Sequence, residues 1–168
     1  MGTTKKLSLA AAIGLVVVGA MGIWSKGPDA HQRCHRLRGN AGIRASVFSD
    51  GCTSTVGLCT AGEFEGDGLL AGTTAFVADG LAPAAGLPAV EAPTTLSYSG
   101  LLTITTRRGT LTTRDTGIFD TAAGLFASRD VIVSGTGVFE GATGHLFFTG
   151  AGTSSFESEA SGEICLAR

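Results

Sequence analysis

The stretch Val131–Gly150, VIVSGTGVFEGATGHLFFTG, has two apolar runs on either side of a glycine-rich centre. The β-branched run Val131–Val133 suits a pleated surface, and Leu146–Phe148 forms the second run. Five glycines fall within the stretch, which is too many for a long helix to persist there. The pattern predicts two neighbouring strands joined by a tight, glycine-bent crossing, with Phe139 turned inward and Glu140 at the bend.

The clearest strand pair of the chain precedes this stretch, at Thr94–Thr116. Apolar side chains alternate with serine and threonine there, so that one face carries Leu96, Tyr98, Leu102 and Ile104. Nine threonines lie between positions 94 and 116, a density that favours sheet over helix. Arg107-Arg108-Gly109 supplies the turn between the two strands.

The same reading over the whole chain gives seven or eight short strands with frequent turn signals and no amphipathic helix of useful length. This pattern is typical of an all-β sandwich or a closed antiparallel barrel. We predict the small closed antiparallel barrel of about eight strands, because glycine-bent, strongly alternating strands are how such a barrel turns its corners. The interior of an eight-stranded barrel has room for packed side chains or one small ligand.

The amino terminus has the composition of an export signal. Lys5 and Lys6 precede an uncharged run, Leu7–Trp24, which fits a cleaved signal peptide better than a membrane anchor. We therefore predict a signal at 1–24, a polar lead-in at 25–43 and the barrel domain at 44–168. The expected location is secreted or in the cell envelope, with membrane attachment only if the signal stays uncleaved.

The charge balance argues against a nucleic-acid partner. The chain carries 12 Lys and Arg against 14 Asp and Glu, and without residues 1–24 the formal charge is −4. Binding to a phosphate backbone requires clustered positive charge. The one basic cluster, Arg33, Arg36, Arg38 and Arg44, reads as a solvated segment near the predicted signal.

The four cysteines, Cys34, Cys52, Cys59 and Cys165, predict two disulfides in an exported chain. Three pairings are open. Cys52 and Cys59 are close enough to close a local loop, which would leave Cys34 to meet Cys165 and tie the two ends together. No CxxC motif occurs, and His31 and His35 beside Cys34 lack a predicted scaffold, so no metal site is expected.

Few polar residues are candidates for a role inside an apolar barrel. Tyr98 and Asp115 share the parity of apolar neighbours on their strands and are the candidate ligand-binding and catalytic groups, because a desolvated phenol or carboxyl has the shifted pKa that acid-base chemistry uses. Arg114 or Arg129 would be the charge partner of Asp115. Glu140, in the glycine-rich bend, is the third candidate for ligand contact.

The segment Gly135–Gly144, GTGVFEGATG, resembles the glycine-rich segment of the allene oxide cyclase family and, more distantly, the dirigent proteins. A threonine-rich hairpin, the segment GTLTTRDTGIFD at 109–120 and the apolar strand before the motif add to the likeness. The resemblance covers Glu63–Leu166 and points to a bacterial, secreted branch. It implies an eight-stranded barrel with an apolar cavity and a tendency to form homo-oligomers. No segment matches the catalytic residues of the plant cyclases.

Two functions follow as expectations. The first is a secreted barrel that binds a small apolar molecule in its cavity without a cofactor. The alternative, implied by the resemblance, is an isomerase or cyclase that acts on a reactive lipid-like or polyene-like substrate.

Overall fold

The computed structural model describes residues 33–86 and 94–167 and shows a closed barrel of eight antiparallel strands. Each strand pairs with the next along the chain, and β1 pairs with β8 to close the sheet. The predicted all-β barrel is therefore confirmed. The strands are β1 Arg33–Phe48, β2 Cys59–Glu65, β3 Gly72–Pro83, β4 Thr95–Thr106, β5 Gly109–Asp120, β6 Leu125–Gly135, β7 Thr143–Gly152 and β8 Ser155–Leu166.

The up-and-down topology gives the barrel two different ends. We call the end that carries the β1–β2, β3–β4, β5–β6 and β7–β8 connections the upper end. The lower end carries the three other connections, together with the first residue of β1 and the last of β8. This division matters because side chains pack tightly in the lower half and leave space in the upper half.

The glycine-rich stretch forms β6, β7 and the single-turn 3-10 helix η1 (Gly137–Phe139) between them. Phe139 is fully buried, as predicted. Gly137 and Gly141 have positive φ angles of 60° and 67°, which side-chain-bearing residues rarely adopt. A Cβ on Gly135 would lie 2.3 Å from the Phe139 carbonyl oxygen, so only glycine lets this turn fold back under the barrel.

Phe139 belongs to a tightly packed layer that fills the lower half of the barrel. Its members are inward-facing apolar side chains, each no more than 5% exposed, from six strands, η1 and the β2–β3 connection: Leu37, Phe64, Leu70, Phe139, Ile104, Leu111, Leu146 and Ile164. Because these side chains close the lower end, any cavity in the barrel must lie in the upper half.

The predicted boundary between lead-in and barrel, at 43/44, is wrong, because β1 already begins at Arg33. Two of the arginines that suggested a lead-in, Arg36 and Arg38, lie on the outer face, where polarity suits a strand exposed to water. Arg36 Nε donates to Glu163 Oε2 on β8 at 2.7 Å. A bulge between Arg38 and Ala41, with Gly39 at φ 78°, also interrupts the alternation that identifies a strand. The predicted signal at 1–24 lies outside the described residues.

Both disulfides join the predicted pairs, the local one between Cys52 and Cys59 and the long-range one between Cys34 and Cys165. Cys34–Cys165 links directly opposite positions on β1 and β8, and Cys52–Cys59 closes the β1–β2 connection. Two disulfides indicate an oxidising compartment. Within the described part of the chain, no helix has the length and apolar character needed to cross a bilayer.

Candidate functional site

A cavity of about 170 Å³ occupies the upper half of the barrel. Leu58 and Thr153 line it in the connections of the upper end, and Leu81, which is 40% exposed, lines it from β3. The cavity therefore reaches the surface near the upper end. Six of its lining residues are aromatic: Phe76, Tyr98, Phe119, Phe126, Phe148 and Phe156.

Two glycines on the inner face of the sheet make room for the aromatic side chains. A Cβ on Gly100 would lie 2.5 Å from the Phe76 ring, and a Cβ on Gly117 would lie 2.5 Å from the Tyr98 ring. These two rings meet edge to face with centroids 6.0 Å apart. Because neither position has a side chain, the two rings can lie flat along the cavity wall.

The lower part of the cavity wall is polar. Interior positions pair across the sheet in rows, and one row sets Asp115 on β5 directly opposite Asp130 on β6. The row above it sets Tyr98, Gly117 and Ser128 side by side. Side chains at opposed antiparallel positions lie about 5 Å apart at Cβ, so the two carboxyls are neighbours. We call Asp115 and Asp130 the acid pair.

Asp130 is held by hydroxyl groups from below and beside it. It has no solvent exposure, Thr113 Oγ1 donates to its Oδ2, and Ser128 Oγ donates to its Oδ1 at 3.2 Å. Hydroxyl donors stabilise a carboxylate that has been removed from water. Asp130 is therefore the member of the acid pair better prepared to carry a negative charge.

Asp115 differs from Asp130 because it faces the cavity and one of its carboxyl oxygens accepts no hydrogen bond. It is 7% exposed and lines the cavity, and its Oδ1 has no hydrogen-bond partner in residues 33–86 and 94–167. A buried polar atom without a partner costs about 1–3 kcal/mol. A ligand that hydrogen-bonds to Oδ1 would remove that penalty.

Burial and mutual repulsion favour the protonated form of the acid pair. Burial, followed by the negative charge of Asp130, raises the pKa of Asp115 to about 8. Burial also raises the pKa of Asp130, although the Thr113 and Ser128 hydroxyls oppose the shift. Near neutral pH the acid pair therefore retains a proton, chiefly on Asp115. Burial and the charge of Asp115 also raise the pKa of Tyr98, so its phenol keeps its proton.

The predicted site residues divide between the two ends of the barrel. Tyr98 and Asp115 both line the cavity, as the parity of their strands indicated. Glu140 is exposed, follows η1 at the lower end and does not line the cavity. The predicted ion pair of Asp115 with Arg114 or Arg129 is wrong. Arg114 faces outward, where its Nη1 and Nη2 both donate to the Asp79 carboxylate, and Arg129 is exposed.

Three residues of the site were not identified from the sequence: Thr113, Ser128 and Asp130. Ser128 and Asp130 share the parity of Phe126 on β6, and this alternation is the signal that would have placed them inside. Cys34, Glu163 and Cys165 bring three atoms of metal-ligand type within 4.8 Å of one another. Both sulfur atoms are bound in the disulfide, so they are not thiolate donors.

Comparisons with known proteins leave the chain without an assigned relative. No family model matches it, and neither the curated proteins nor the solved structures contain a significant match.

Proposed function

We propose that the protein is a secreted barrel that binds one small, largely apolar molecule in its upper cavity. The observation that carries the proposal is a cavity of about 170 Å³ in a barrel whose lower half is filled. An apolar cavity of about 150 Å³ is large enough to hold a benzene molecule. The size supports a ligand with one ring, or the end of a longer chain that projects from the upper end.

The polar wall would orient such a ligand. Its apolar part would contact the aromatic rings, and its polar group would reach the unpartnered Oδ1 of Asp115. A few polar groups within an apolar wall are the usual means by which a pocket fixes orientation. Export through a signal at 1–24 is part of this proposal and is supported by the two disulfides.

Filling the cavity should abolish binding without unfolding the barrel. Ala45 lines the cavity from β1, and Ala45→Leu would occupy part of its volume. We expect toluene, titrated by calorimetry, to bind the wild-type protein and to bind Ala45→Leu at least about tenfold more weakly. Ser46→Leu is the matched control, because Ser46 is the next residue on the same strand and faces outward. Equal affinity in all three proteins, or no binding to any, would contradict the proposal.

The isomerase alternative, of the allene oxide cyclase type, is favoured by one observation: the buried carboxyl of Asp115, whose pKa burial raises, faces the cavity. The Asp115 proton would transfer to the oxygen of a lipid epoxide as the C–O bond breaks and its electron pair moves to oxygen. Loss of a proton from the adjacent carbon to the Asp115 carboxylate would then complete an isomerisation. General acid catalysis of this kind contributes typically about 10²–10⁴-fold.

This alternative predicts an Asp115-dependent rate. With an epoxide of a polyunsaturated fatty acid as substrate, we expect Asp115→Asn to lower the rate of isomer formation on the order of 100-fold. Asp50→Asn, an exposed turn position, is the control. Product analysis by chromatography measures both rates. Turnover that does not exceed the uncatalysed rate, or that is unchanged in Asp115→Asn, argues for binding alone.

A further inference from the structure

Among residues 33–86 and 94–167, the acid pair has no positively charged partner inside the barrel. Among the described residues that line the cavity, Asp115 is the one acidic residue, and none is lysine, arginine or histidine. The nearest cation, Arg114, lies on the outer face, where its guanidinium pairs with Asp79. A structural carboxyl in a barrel interior is ordinarily balanced by a cation or by full hydrogen bonding, and Asp115 has neither.

The walls around the acid pair favour a positive charge as well. The ring of Tyr98 lies in the row directly above Asp115, and Phe76 meets it edge to face. In the next inward row toward the upper end, Phe126 on β6 meets Phe156 edge to face, with centroids 5.8 Å apart. The faces of aromatic rings attract cations, and this attraction grows where water is excluded.

We propose that the ligand of this cavity is a small primary amine, with its ammonium group at Asp115 and one ring or a short alkyl group against the aromatic walls. The inference rests on the proposed binding function and names the class of its ligand. Three N–H donors of an ammonium group can reach Asp115 Oδ1 and neighbouring oxygens of the polar wall, and its charge balances the acid pair. The cavity volume limits the apolar part to about one ring.

An amine and a neutral ligand differ in how their affinity depends on pH. A carbonyl or hydroxyl oxygen would accept a hydrogen bond from the protonated Asp115 carboxyl, so a neutral ligand would bind better when the acid pair is protonated. An ammonium group would bind better after the acid pair has lost its proton, because the pair then carries more negative charge. The other charged or titratable groups on β3 to β7 are Tyr98 inside and five residues on outward-facing positions: Asp79, Arg114, Asp120, Arg129 and His145.

The test compares three ligands of nearly equal shape, benzylamine, benzyl alcohol and toluene, by isothermal titration calorimetry. We expect benzylamine to bind the wild-type protein at least about tenfold more tightly than benzyl alcohol at about pH 8. Its affinity should rise about tenfold from about pH 6 to about pH 8, with protons released on binding, as shown by buffers of different ionisation enthalpy. Asp115→Asn should remove both the preference and the pH dependence.

The outcomes separate this inference from the proposed function. If benzyl alcohol binds as tightly as benzylamine, or affinity for benzylamine falls as the pH rises, the amine is overturned while cavity binding stands. If none of the three ligands binds, or Ala45→Leu binds them as the wild type does, both proposals are overturned. Thermal melts of Asp115→Asn without ligand establish that the variant is folded before it is titrated.

Discussion

Loss of the Cys34–Cys165 disulfide, through Cys34→Ala and Cys165→Ala together, is expected to lower the free energy of unfolding by about 5 kcal/mol. The two cysteines are 131 residues apart, so the bond restricts nearly the whole unfolded chain. It also joins β1 to β8, the strand pair that closes the barrel. Urea denaturation without reductant, followed by far-UV circular dichroism, measures the change.

The second disulfide provides the control for loop length. Cys52 and Cys59 are 7 residues apart, and their removal by Cys52→Ala and Cys59→Ala is expected to cost about 2 kcal/mol. If the long-range variant does not fold in buffer, the comparison can be made in sulfate, which strengthens apolar burial. If the two pairs of substitutions destabilise the protein equally, the longer disulfide does not stabilise it by restricting the unfolded chain.

The strands of the barrel were predictable where side chains alternate strictly. β4 places Tyr98, Leu102 and Ile104 inward and leaves Leu101 44% exposed, as a period of two requires. The glycine-rich turn was predictable for a similar reason, because its glycines exclude a long helix and Phe139 is the large apolar residue available to close the lower end.

The start of β1 was not predictable by the same rule. Eleven of its residues, 33–43, fall within the predicted polar lead-in, because the bulge at Arg38–Ala41 shifts the register and few inward positions precede it. The pairing of β1 with β8 supplies backbone hydrogen bonds that do not depend on apolar side chains. A strand held by a distant partner leaves little local signal in the sequence.

Two residues of the site were predictable from the sequence, and the pairing of strands that completes the site was not. Asp115 and Tyr98 could be placed inside from their own strands. Asp130 could not be set opposite Asp115, because their register depends on where β5 ends and β6 begins, and the two strands pair without interruption from Asp120–Leu125 to Thr113–Ile132. Periodicity gives the face on which a side chain lies, whereas the cross-strand neighbour depends on register along the whole pair. The repulsion that defines the acid pair is therefore a property of the folded barrel.

The acid pair should make the barrel less stable as the pH rises. The pKa of a carboxyl in the unfolded chain is about 4. Burial raises the pKa of Asp115 to about 8 and also raises that of Asp130. Below about pH 4 both carboxyls are protonated in the folded and the unfolded chain, so their ionisation does not affect stability. Between about pH 4 and pH 8 the unfolded chain releases protons that the folded barrel retains. Each retained proton lowers the free energy of unfolding by about 1.4 kcal/mol per pH unit.

Asp115→Asn should remove much of this loss, because the amide stays neutral and can donate to Asp130 in place of the carboxyl proton. We expect the variant to be more stable than the wild type at about pH 8 by on the order of 2 kcal/mol, and no more stable at about pH 4. Denaturant titrations across this range measure the difference, with the exposed Asp50→Asn as control. Parallel pH profiles for wild type and Asp115→Asn would mean that folding does not raise the pKa of Asp115. The expected rise in amine affinity between about pH 6 and pH 8 would then have no source.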